Sequence, residues 1–138
     1  MTQYTKVTEK INTSLFKSIN EENIEVLVRE FYSRVYQDSY LQTFFIEKLG
    51  DDFQGEKWEK HLLLLSDFWR FVALGYNDYD ANPLQPHFEV KNLSVEAFTN
   101  WLKLFHATVD SLYEPSIGLY FKDKSNDIAK NFIRKLNL

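Results

Sequence analysis

Apolar side chains spaced at three and four residues dominate this chain, and that spacing commits it to helices. Trp58, His61, Leu62, Leu65, Phe68, Trp69 and Val72 recur on one side of a long helix that ends near Gly75. An earlier helix starts at Asn20, a capping residue followed by Glu21 and Glu22, which complement the positive end of the helix dipole. Ile24, Leu27, Val28, Phe31 and Val35 form its inner stripe, with Tyr32 beside them. Ser94 opens a further helix whose apolar positions, from Ala97 and Phe98 through Trp101 and Phe105 to Leu112, cover so wide an arc that it must be central. Pro115 suits the first turn of a last helix carrying Ile117, Phe121, Ile128, Phe132 and Leu136. A short turn of helix is expected over Tyr40 to Ile46, a loop over Lys48 to Gly55, and mostly loop over Tyr76 to Pro86, with room for one or two turns before His87. Residues 1–18 read as a partly ordered N-terminal arm and residues 19–138 as one domain.

Composition supports an all-α class and narrows the chemistry. Four Gly and three Pro are too few for the many tight turns of a sandwich or barrel. Aromatic residues make up 17% of the chain, so its core is built from large flat side chains that also suit a cavity for a planar ligand. A net charge of −4 without a basic block argues against nucleic acid as a partner. The absence of Cys removes disulfides, thiolate-held metals and cysteine nucleophiles, and suits a reducing compartment. Leu62 to Leu74, the most apolar stretch, is interrupted by Asp67 and Arg70 and is too short to cross a bilayer. With no apolar run near the N-terminus, the expectation is a soluble, cytoplasmic protein without membrane partners.

Three histidines remain as metal-ligand candidates, at 61, 87 and 106. His106 has nothing converging on it and reads as an ordinary structural residue. His61 lies on the long helix and His87 follows a Pro-containing loop, with a chain reversal between them, so the two can face each other across a flat cofactor. No paired-ligand spacing supports zinc. Haem iron needs only one protein ligand, and a neutral imidazole serves.

Trp58-x-x-His61, Phe68-Trp69, Gly75, Tyr79, Asn82-Pro83-Leu84-x-x-His87 and Trp101-Leu102-x-Leu104-Phe105, together with Phe31-Tyr32 and Phe45, form an ordered set. In that set the chain, from about Asn20 onward, resembles the truncated haemoglobins of the third group. The resemblance implies a two-over-two helical sandwich, a globin domain in which the helix bearing the iron ligand is shrunk to about a turn. It implies haem b as cofactor, with its iron held by His87. Tyr32 and Trp101 become the polar groups over the sixth coordination position, His61 the distal-helix residue, and Phe45 the ring wedged against the porphyrin. Leu65 becomes the apolar contact above the iron, with Trp69 also against the cofactor. Pro86 constrains the turn that aims His87.

The function this implies is binding of O2, CO or NO at ferrous iron. A phenol and an indole donor in a dry pocket slow O2 loss, which suits chemistry on the gas over its delivery. NO dioxygenase or peroxidase-like turnover, fed by an unidentified reductant, therefore leads. A gas sensor or O2 store without turnover, and a haem-free helical interaction domain, are the competing readings. For His61 three roles stand open: a third donor to the gas, a gate toward solvent, or a sixth ligand. Tyr32 and Trp101 already supply donors, and Leu65 with the two large aromatics would crowd an imidazole reaching for the iron, so the gate is favoured.

Overall fold

The computed structural model describes residues 14–76 and 82–138, so most of the expected arm, residues 1–13, lies outside the described residues. Among the described residues five α-helices follow in order: α1 (Glu21–Gln37), α2 (Thr43–Leu49), α3 (Glu56–Leu74), α4 (Val95–Leu112) and α5 (Pro115–Lys135). A single turn of 3-10 helix, Gln85–Glu89, stands between α3 and α4 and carries His87. Helix α1 packs on α3 and α4, and α4 packs on α5. Among the described residues no helix is long and apolar enough to cross a membrane.

Asn20 starts α1 through a reciprocal cap. Its side chain accepts from Asn23 N–H at 2.8 Å, and Asn23 Oδ1 accepts from Asn20 N–H at 3.0 Å. Asn23 is buried, and both its side-chain polar atoms are engaged: Oδ1 also accepts the Tyr113 hydroxyl at 2.8 Å, and Nδ2 donates to the Ser18 carbonyl at 2.8 Å. A buried amide bonded this way ties the start of α1 to the α4–α5 corner while offsetting most of the cost of its burial. The described end of the arm reaches the same corner, where Phe16 N–H donates to Leu112 C=O and Glu114 N–H donates to Phe16 C=O.

The short helix begins three residues later than the sequence suggests, and Lys48 and Leu49 extend it where a loop was expected. Asp38 explains the shift, because its side chain accepts from the N–H groups of Tyr40 and Leu41 and holds residues 38–42 in a turn. Gly50, at φ +83°, then ends the helix, and Trp58 Nε1–H and the Tyr36 hydroxyl pin the following loop through the Gly50 and Asp51 carbonyls. Helix α3 ends as expected at Gly75, in the left-handed conformation at φ +73°.

Helix α5 departs from its expected stripe in an informative way. Its buried line is Gly118, Phe121, Ser125, Ala129 and Phe132, with small residues at three of five places. A Cβ on Gly118 would lie 2.8 Å from Val109 Cγ1, so glycine is what lets α5 settle against α4. His106 spans the same interface, with Nε2 3.2 Å from Ser125 Oγ, which fits its reading as a structural residue. Arg34 joins α1 to α4 through Thr108 and Ser111, while Arg29 to Glu59 and Arg70 to Glu25 join α1 to α3.

Candidate functional site

The helices surround an apolar cleft containing about 950 Å³ free of atoms, part of it open to solvent. Tyr32 enters from α1, Phe45 from α2, and His61, Leu65 and Trp69 from α3; Trp101 enters from α4, and His87 from the 3-10 turn. All seven side chains singled out in the sequence thus line one cavity. No Lys, Arg, Asp or Glu is among the described residues lining it.

His87 is held in a defined tautomer. Its Nδ1 lies 2.7 Å from the Pro83 carbonyl, which can only accept, so Nδ1 carries the proton and the lone pair is left on Nε2. The ring stacks on Phe98 (centroids 6.2 Å apart, 27° between planes) and meets Phe132 edge-on at 4.9 Å. Pro86 opens the turn, where a missing N–H costs nothing, and the His87 N–H closes it onto the Leu84 carbonyl at 3.0 Å. No three His, Cys, Asp or Glu among the described residues cluster as a metal site.

Across the cleft His61 sits in a box of rings: Tyr32 at 5.5 Å, Phe45 at 5.9 Å and Trp58 at 6.2 Å between centroids. Its Nε2 is buried without a hydrogen-bond partner. Tyr32 is also buried, and its phenol is pushed up to about 12 by burial, against a hydrogen bond from the Trp101 indole N–H that works the other way. Trp101 therefore acts on Tyr32 as well as on the cleft.

Sequence reasoning missed the rings that fix His87. Phe98 and Phe132 were legible as members of helical stripes, but which stripe residue meets His87 depends on the path between α3 and α4. Leu41 and Phe44, also lining the cleft, sit in the turn and short helix whose start the periodicity misplaced.

No family model matches the chain. Over 117 residues it is 31% identical to the Group 3 truncated hemoglobin of Campylobacter jejuni, covering 85% of this chain and 91% of that protein. The crystal structure of group III truncated hemoglobin from Campylobacter jejuni matches it with a TM-score of 0.83 at 30% identity, covering 88% of this chain and 94% of that one. The chain is a group 3 truncated haemoglobin. Its all-helical architecture is the truncated-globin fold.

The two cleft imidazoles of this truncated haemoglobin are biased toward neutrality. Burial lowers the pKa of His87, while the Pro83 and Leu84 backbone groups oppose the shift. Burial, with the charge of a protonated His87 adding to it, brings His61 down from 6.5 to about 4. Between those two values the unfolded chain binds the His61 proton and the folded chain does not. Folding stability must therefore fall as pH drops through about 6.5 and level off near about 4, by at most about 3 kcal/mol for this group. His61→Leu removes both the titration and the unpartnered nitrogen. Urea unfolding of the haem-free chain at about pH 7 and about pH 4.5 should show a smaller loss of stability in the variant than in the parent. Equal losses would mean that His61 is already solvated.

Proposed function

We propose that this chain is a haem protein in which His87 Nε2 holds the iron and the opposite wall of the cleft receives a diatomic gas. The observation that carries the reading is the His87 tautomer: a carbonyl acceptor on Nδ1 leaves one imidazole lone pair at an apolar, ring-lined cleft broad enough for a planar group. The unpartnered His61 Nε2 on the far side fits the same group, since a polar atom is stranded there without one. Haem b, when bound, supplies an iron centre at which O2, CO or NO can bind and undergo electron transfer.

The residues divide the work by position. The Pro83 carbonyl, Phe98 and Phe132 orient His87, and a hydrogen bond on Nδ1 makes Nε2 a stronger donor. Phe45, Leu65 and Trp69 offer apolar surface to the porphyrin and exclude water. The Trp101 N–H engages the Tyr32 oxygen and leaves the Tyr32 O–H free to donate to the gas; linked donors polarise one another. His61, neutral at physiological pH, contributes shape and a lone pair but no charge. Its swing toward solvent on protonation would need acid well below neutrality, so any gate it forms works as a neutral ring. Slow gas release suits turnover, such as oxidation of NO fed by an external reductant, and a chain without Cys suits a reducing compartment such as the cytoplasm.

His87→Ala should abolish the ferrous absorption spectrum of a single-imidazole haem, and added imidazole should restore it. Retention of an unaltered spectrum would show that another side chain holds the iron.

Tyr32→Phe keeps the ring and deletes the donor. Loss of a charge-assisted bond of roughly 1.5–3 kcal/mol should raise the O2 dissociation rate by about one to two orders of magnitude. Trp101→Phe should raise it less, and the double variant should match Tyr32→Phe alone, because Trp101 acts through the phenol. Stopped-flow O2 displacement by CO measures all three; additive effects would mean that the indole bonds the gas directly.

A further inference from the structure

Beyond the cleft the rings continue in one direction. Trp101 stacks on Phe105 with centroids 5.3 Å apart and planes 2° from parallel, and Phe105 stacks on Trp69 at 5.3 Å and 13°. Trp69 meets Phe121 at 5.6 Å, and Phe121 meets Tyr120 at 5.7 Å. Tyr120 is half-exposed; its hydroxyl donates to the Val72 carbonyl at 2.9 Å, and the Lys124 ammonium lies 5.8 Å from the ring centroid. Core packing needs apolar rings. It does not need oxidisable ones alternating with bridging phenyls, nor a phenol where the row meets solvent.

We propose that this row, from Trp101 and Trp69 to Tyr120, is a relay that carries single oxidising equivalents from the cleft to the surface, where small phenols are oxidised at the expense of hydrogen peroxide. It rests on the haem reading above. Tunnelling falls off exponentially with the gap, so rings in contact outpace one long jump. Tryptophan and tyrosine can hold the hole for a moment, while Phe105 and Phe121 only bridge. The end of the row is set by protons, because a tyrosine that loses an electron must also lose its phenolic proton. Tyr113 also touches Phe121, at 5.0 Å, but it is fully buried and its hydroxyl faces the Asn23 amide oxygen, which does not take a proton. The Tyr120 hydroxyl also faces a carbonyl, that of Val72, but Tyr120 is half-exposed, so its proton can pass to solvent when that bond opens, and the nearby ammonium disfavours the charged radical and favours the neutral one.

The reaction balances. Hydrogen peroxide takes two electrons and two protons, its O–O bond breaks, and it leaves as two waters. Each electron comes along the row from Tyr120, whose O–H bond breaks with loss of the proton to solvent, leaving a neutral tyrosyl radical. A small phenol then gives Tyr120 a hydrogen atom and leaves as a phenoxyl radical, so two phenols are consumed per peroxide.

The test is radical trapping in haem-loaded protein treated with hydrogen peroxide and a nitroso spin trap, read by electron paramagnetic resonance and by peptide mapping of the adduct. The adduct should map to Tyr120. Tyr120→Phe should remove it and suppress oxidation of a small phenol together with the peroxide consumption coupled to it, with haem loading unchanged, and Tyr120→Trp should restore both. Phe121→Leu, outside the cleft, should weaken the Tyr120 adduct although Tyr120 is intact, with helicity checked by circular dichroism. Haem-loaded protein whose adducts map to Tyr32 or Tyr36 and not to Tyr120, or whose Tyr120 adduct is undiminished by Phe121→Leu, overturns the relay alone. A chain that takes up no haem, seen at once in its absorption spectrum, overturns the proposed function and the relay together.

Discussion

A single hydrogen bond, from His87 Nδ1–H to the Pro83 carbonyl, decides what the cleft can be. It selects the tautomer and stops the ring from turning, so that Nε2 keeps an available lone pair. A 3-10 turn is a short and weak element on its own. This one is stiffened because Pro86 pre-sets its entry and because Phe98 and Phe132, from two different helices, clamp the imidazole. The iron ligand that the reading requires is thus produced by tertiary packing on a segment with little intrinsic preference for any structure.

The opposite wall is built on different physics. There, aromatic rings from α1, α2 and α3 enclose His61 and leave its Nε2 without a partner, an arrangement that costs stability unless something fills the space. A folded domain tolerates such a cost where the site is used. The rest of the fold supports that tension: the Asn20–Asn23 cap and the Tyr113 hydroxyl anchor α1, which carries Tyr32, and the close approach at Gly118 sets α5, which carries Phe132.

Much of this was legible in the sequence where the signal is periodic or chemically singular. The stripe of α1, the Gly75 stop, the Ser94 cap and the Pro115 start all reflect local rules, and they are where those rules put them. His87 and His61 stood out because few other groups in a chain without Cys can serve an iron. The inner face of α5 was less legible, since Gly118, Ser125 and Ala129 look like surface residues until a neighbouring helix needs the room. The start of α2 was hidden by Asp38, whose side-chain turn competes with the helix. The rings around His87 were out of reach, because residues 87, 98 and 132 meet only through the tertiary path. The influence of Trp101 on the Tyr32 phenol was out of reach for the same reason, since residues 32 and 101 meet only through the packing of α1 on α4.

The central claim is that His87 alone holds haem while the ring box keeps His61 from reaching it. Titration of haem into the haem-free protein, followed by reduction and absorption spectroscopy, bears on it most directly. Saturation at one haem per chain with a five-coordinate, high-spin ferrous spectrum is the predicted result. A six-coordinate, low-spin ferrous spectrum that reverts to five-coordinate in His61→Leu would contradict it, because the box around His61 would then be open enough to deliver a second ligand.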